Sequence, residues 1–189
     1  MESFIEKYDN VLSADTCQTL IDQFETIGSI EGQFYNKGSV FTDHSVKKCK
    51  QLENTNLNDP TLISNIIRPV LCNCLDEYAK KYVGLHKHVG LWTYTGDFAF
   101  QAYYDETDGY KGWHCEHGAG FPSANRILAW MFYLNDAESG TEFQYFPTMK
   151  AKAGRCVIWP AGWTHFHRSE PNKGLKYLVT GWVQFYETP

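Results

Sequence analysis

Residues 156–185 read CVIWPAGWTHFHRSEPNKGLKYLVTGWVQF. Two stretches in it, Cys156 to Trp159 and Tyr177 to Phe185, are rich in Val, Ile, Thr and aromatic residues, and turn residues bound them. Each reads as a strand. The segment between holds Trp159-Pro160-Ala161-Gly162-Trp163, then two histidines, His165 and His167, and nine residues after the second a cation, Lys176, at the start of the next strand.

Working outward, Leu91 to Thr95, Phe98 to Tyr104 and Ile127 to Leu134 have the same strand composition. Successive strands joined by turns predict a closed or two-layered β structure. The chain before Gly84 differs. Ser13 is a good N-cap, Asp15 suits the first turn, and Cys17, Leu20, Ile21 and Phe24 recur at helical spacing up to Gly28-Ser29. A second helix is expected to open at Asp59-Pro60, with Leu62, Ile66, Val70, Cys74 and Tyr78 on one face. Pro69 should kink it or split it in two, because proline lacks the donor N–H. Residues 30–58 lack periodicity and read as loop, with a short strand near Ser39 to Thr42. The expected class is α+β, mainly β, in one domain spanning residues 1–189. Residues 1–84 would be mainly helical support and loop, and residues 85–189 the β core.

Bulk properties exclude some functions. With 43% hydrophobic and 16% aromatic residues, the chain has material for a sizeable core. A net charge of −5 argues against affinity for phosphate backbones, so no nucleic-acid partner is expected. Lys47, Lys48 and Lys50 form the nearest basic cluster and read as a solvated face. No apolar run approaches the length of a membrane span, about twenty residues, so no membrane partner is expected. No pair among the six cysteines has C-x-x-C spacing, which suggests reduced thiols in a cytoplasmic protein.

The chemistry sits with the histidines. In Gly112-Trp113-His114-Cys115-Glu116, residues two apart on an extended backbone point to one side. His114 and Glu116 could then offer an imidazole and a carboxylate to one metal ion, and His165 or His167 could close the site. Two histidines and one carboxylate leave open positions, as in non-haem iron oxygenases. Lys176 lies between Leu175 and Tyr177-Leu178 and is costly to bury without an anionic partner.

Several pieces, in order, resemble the 2-oxoglutarate- and iron(II)-dependent oxygenases of the prolyl 4-hydroxylase-like superfamily. They are Gln101-Ala102-Tyr103, Trp113 to Glu116, Arg126 leading into Phe132 to Asp136, Gly140 to Phe143, Ala153 to Arg155 before Trp159 to Ala161, Trp163 to Arg168, Gly174 to Tyr177, and Thr180 to Trp182. The look is that of the small members found in bacteria and marine phages. The resemblance implies a double-stranded β-helix, or jelly roll, and a bacterial or phage-infected host cell as the setting. It implies iron(II) on His114, Glu116 and a distal histidine, where the family pattern points to His167 and His165 is the alternative. The family usually has Asp where Glu116 stands. Lys176 matches the residue that pairs with the far carboxylate of 2-oxoglutarate. Tyr103 matches a tyrosine that bonds the same group, although Tyr104 is adjacent and only one can face the pocket. Trp182 matches an aromatic position near the metal. Implied cofactors are iron(II), 2-oxoglutarate as cosubstrate and dioxygen, with ascorbate as reductant. The implied reaction is hydroxylation of an unactivated C–H bond, with peptidyl proline leading and small molecules open. Trp92 to Tyr110 and the loop from Glu31 to Asp43 are the expected substrate walls. The competing readings are a cupin-like metal-binding module without turnover, a zinc hydrolase on the same ligands, and an inactive relative kept for binding a partner.

Overall fold

A computed structural model describes residues 2–36, 39–53, 55–120 and 122–186. Strand β1 (Glu6–Tyr8) leads into helix α1 (Ala14–Ile27). Five short strands follow: β2 (Ile30–Glu31), β3 (Phe34–Asn36), β4 (Ser39–Phe41), β5 (Lys47–Lys48) and β6 (Lys50–Gln51). Then come α2 (Leu62–Lys81) and α3 (Gly84–His88). The remainder is β7 (Trp92–Tyr103), β8 (Gly109–Tyr110), β9 (Arg126–Tyr133), β10 (Thr141–Phe143), β11 (Arg155–Pro160), β12 (His167–Ser169) and β13 (Lys176–Phe185).

Helix α1 starts as its sequence dictates: the Ser13 hydroxyl accepts from Thr16 N at 3.1 Å. Helix α2 corrects three expectations. Its N-cap is Thr61, not Asp59, because Thr61 and Ser64 form a reciprocal capping box that satisfies two free donors at once. Pro69 does not split it; one helix runs through the proline from Leu62 to Lys81. The carbonyl that loses its partner belongs to Asn65, and both residues are exposed, so water can take the place of the missing donor. The buried stripe is Ile63, Ile67, Leu71, Cys74 and Tyr78, one residue on from the expected one over its first half, and Leu62 is left exposed.

Seven strands form an antiparallel major sheet in the order β1-β11-β9-β13-β7-β6-β2. The N-terminal part is therefore more than support, since it supplies the strands at both edges. Strand β7 joins the two strands expected over Leu91 to Thr95 and Phe98 to Tyr104. Gly96 lies in its middle, where a Cβ would come within 2.7 Å of the Asn56 side chain. Glycine there permits close approach of a neighbouring loop rather than ending the strand. Leu20, Phe24, Ile67 and Leu71 of the helices pack with Phe100, Trp130, Phe132 and Val179 on one face of the sheet. The other face carries Tyr103, Ala129, Met131, Tyr133 and Leu178, and Phe143 packs with them. A second wall of short pairs, β5 with β8 and β10 with β12, lies opposite. The result is the expected jelly roll. All six cysteines are free. Among the described residues no helix is long and apolar enough to cross a membrane.

Candidate metal centre

The second wall brings the sequence-predicted ligands together. His114 and His167 face each other across an isolated antiparallel bridge. His114 N donates to His167 O at 3.1 Å, and His167 N donates to His114 O at 2.9 Å. Opposed residues in such a pair send their side chains to the same face, and the two imidazole centroids lie 4.3 Å apart. Two residues on, Glu116 N and His117 N both donate to Ala161 O, at 3.0 and 2.9 Å. One ligand atom each from His114, Glu116 and His167 lies within 4.8 Å of the others. His114 Nε2 is 3.8 Å and His167 Nε2 3.3 Å from Glu116 Oε1.

The donor chemistry fits a divalent cation. His114 Nδ1 bonds Gly112 O at 2.9 Å, and His167 Nδ1 bonds His165 O at 3.0 Å. A carbonyl can only accept, so each Nδ1 donates, and a neutral ring then presents its Nε2 lone pair inward. Burial first, and then the neighbouring His167, push the His114 imidazole down to about 4. It is therefore neutral near pH 7. Glu116 Oε2 accepts from Trp182 Nε1 at 2.6 Å and from Arg126 Nη1 at 3.5 Å. The Arg126 guanidinium lies 3.6 Å over the Trp182 ring. Burial works to raise the Glu116 carboxyl, but the contact with His167 and the charges around it outweigh that, and the net shift is well downward. Two imidazole lone pairs and one anionic oxygen thus converge, with their other atoms occupied elsewhere. This is the two-histidine, one-carboxylate arrangement with open positions.

His165 is not part of this cluster. It ends a short 3-10 turn, Trp163–His165, which breaks the strand alternation that would have put it beside His167. Its Nε2 bonds Ser3 O at 2.8 Å and its ring stacks on Phe146. What His165 gives the site is its backbone carbonyl. Of the adjacent tyrosines, Tyr103 is buried and Tyr104 is exposed, its hydroxyl donating to Glu25 at 2.7 Å. Tyr103 pairs in register with Lys176, whose Nζ lies 4.9 Å over the Tyr103 ring. The Tyr103 hydroxyl donates to Gln101 Oε1 at 2.7 Å. Lys176 is 1% exposed, and among the described residues no carboxylate forms an ion pair with it. Burial pushes its ammonium down to about 8, against a smaller opposing pull from Glu170.

Residues 98–184 match the family model for the 2OG-Fe(II) oxygenase superfamily. Those residues, 46% of the chain, carry a domain of that superfamily's type. The matched span runs from β7 to β13 and contains the whole cluster and Lys176. With that domain the chain is an enzyme of the 2-oxoglutarate-dependent dioxygenase class, and the matched family implies iron(II), 2-oxoglutarate and dioxygen. Its fold is shared with solved structures. A viral collagen prolyl hydroxylase from Paramecium Bursaria Chlorella virus-1, in complex with 2OG, superposes with a TM-score of 0.63 at 16% identity over 97% of each chain. A prolyl-4-hydroxylase from Pseudomonas putida gives 0.68 at 12% identity, over 98% of this chain and 94% of that one. A non-heme alpha ketoglutarate dependent epimerase, SnoN from nogalamycin biosynthesis, gives 0.62 at 13% identity, over 97% and 78%. No curated protein sequence is a significant match.

The oxygenase has site neighbours that sequence reading missed. Lys47, grouped with Lys48 and Lys50 as a solvated face, is 4% exposed. Strand alternation separates the three: Lys48 pairs with Asp105 and Asp108, Lys50 with Glu31, and Lys47 points inward. Arg126 stood out only as a motif position, and nothing nearby in sequence signals its contact with Glu116. The Tyr110 ring stacks on His114 with centroids 3.7 Å apart, and Phe34 meets Tyr110 edge-on at 6.3 Å. The loop from Glu31 to Asp43 thus flanks the site through Phe34; its residues 37 and 38 lie outside the described residues. The expected wall from Trp92 to Tyr110 does so only at its far end, because Trp92 stacks on His86 of α3.

Proposed function

We propose that His114, Glu116 and His167 hold iron(II) and that Lys176 and Tyr103 seat the far carboxylate of 2-oxoglutarate. The enzyme then hydroxylates an unactivated C–H bond, with peptidyl proline as the leading substrate. The observation that carries this reading is the convergence of the three ligand atoms, in a chain that also buries Lys176 with no ion pair to a carboxylate among the described residues. When bound, the iron with cosubstrate and dioxygen supplies the oxidation of the C–H bond, and 2-oxoglutarate leaves as succinate and carbon dioxide.

This chain's residues bind, orient and exclude water. The carbonyls of Gly112 and His165 fix the tautomers of the two imidazoles. Trp182 and Arg126 hold one oxygen of Glu116 and leave the other for the metal. That tether suits a carboxylate one methylene longer than the usual Asp. Lys176 neutralises a carboxylate at a buried position where an unpaired charge is costly. Tyr110, Phe143 and Trp159 pack around the histidine rings and keep bulk water from them. Two of the structural neighbours are prolyl hydroxylases by description, which supports proline. The SnoN epimerase shares the fold as well, so fold alone does not select the reaction. No nucleic-acid or membrane partner enters the proposal.

The test is an anaerobic titration with iron(II) and 2-oxoglutarate, followed by succinate assays with proline peptides and ascorbate in the buffer. A visible charge-transfer band that needs both additions, and is lost in His114→Ala, is the expected result. Tight iron binding without a band would favour the cupin-like or hydrolytic readings, which use the same three ligands and have no need of Lys176.

A further inference from the structure

Lys47 is, with Lys176, one of two buried lysines among the described residues, and the proposed mechanism does not use it. Strand pairing sets Lys47 opposite Tyr110, whose ring lies on the His114 imidazole. Its ammonium donates to Gln33 O at 2.6 Å and to Gln51 Oε1 at 2.9 Å. Both acceptors are neutral, and an ammonium has a third donor to give. Among the described residues no carboxylate forms an ion pair with it; the carboxylate whose field reaches it is Glu116 of the metal cluster. A neutral donor could hold Gln33 and Gln51 without burying a charge. Burial works against the charge on this ammonium, and an anion that arrives with a ligand would offset that cost.

2-Oxoglutarate does not account for that anion. On the proposed reading, one of its carboxylates goes to the metal and the other to Lys176, on β13 of the major sheet. Lys47 stands on the opposite wall, next to the segment of Gln33 and Phe34, whose ring meets Tyr110. We propose that Lys47 anchors a carboxylate of the primary substrate, so that the substrate is an anion carrying its acid group near the C–H bond to be oxidised. This rests on the oxygenase reading above. The carboxylate could come from a free amino acid or from an acidic residue beside the target in a peptide; the recognition chemistry is the same.

The experiment uses the full chain loaded anaerobically with iron(II) and 2-oxoglutarate, and follows the visible band and its circular dichroism. Absence of the band before any probe is added reports failure of the oxygenase reading itself. Matched probe pairs are then titrated. L-Proline against L-prolinamide tests the free acid, and blocked Gly-Pro-Glu against blocked Gly-Pro-Gln tests the acidic neighbour. Acetate against acetamide makes no assumption about the substrate. In at least one pair the carboxylate should shift the band at about tenfold lower concentration than its amide, as for a charge-assisted hydrogen bond. Lys47→Met should erase the preference and Lys47→Arg should keep it; if the Met variant does not fold, the wild-type pairs and the Arg variant decide. Equal response to acid and amide in every pair overturns the inference. So does a preference that persists in Lys47→Met, or bleaching of the band by carboxylates, which would mean competition with 2-oxoglutarate.

Discussion

The two faces of the major sheet share the same strands and do different work. On β9, Leu128, Trp130 and Phe132 turn to the helices, while Ala129, Met131 and Tyr133 turn to the interior. On β13, Tyr177, Val179 and Val183 join the helix side, while Lys176 faces Tyr103 and Trp182 reaches Glu116. The helix face is filled by large apolar side chains and is closed. The interior face carries a small residue, hydroxyls, an amide and a cation, which together make a site. Stability and chemistry are thus divided by the two-residue alternation of a strand, and substitutions one position apart should fail in different ways.

The largest contrast is expected from Phe132→Ala. Phe132 is fully buried against the helices, so its loss should cost about 3–5 kcal/mol of folding stability, measured by urea unfolding. In the cold the folded fraction should still give the iron and 2-oxoglutarate band. A lost band with unchanged stability would break the division. Next is Lys176→Met, on the interior face. It should weaken 2-oxoglutarate binding by about tenfold to a hundredfold while leaving iron affinity and melting temperature near the wild-type values. A pH series sharpens the same point. The Lys176 ammonium is held down to about 8, so 2-oxoglutarate affinity should fall as pH rises through that value, and Lys176→Met should flatten that step. The smallest effect is expected from Trp182→Phe, which removes the indole donor to Glu116 and keeps the ring. Iron affinity should drop by about tenfold with little change in unfolding. A variant that unfolds instead would place Trp182 with the stability face.

The sequence made these elements legible to different degrees. The candidate ligands could be read because His114 and Glu116 are two apart, a spacing that an extended backbone sends to one side. The distal candidate could not be chosen from alternation alone, since a one-turn 3-10 segment at Trp163–His165 keeps His165 out of the cluster that His167 joins. Helix α1 was legible from its cap and period. The start of α2 was not, because Asp59-Pro60 and Thr61 with Ser64 are both plausible caps and only the second pair bonds reciprocally. Lys47 was hidden for a different reason. Its strand is two residues long and gains its inward orientation from pairing with Tyr110, far along the chain.

The backbone bridge between His114 and His167 has a thermodynamic consequence. Each residue closes the other's peptide hydrogen bond, so the two imidazoles are held in place by the chain itself. Metal uptake then needs little loss of conformational entropy and little newly buried surface. Its calorimetric signature should be a binding heat whose heat-capacity change is far smaller than that of a domain that folds around its ion.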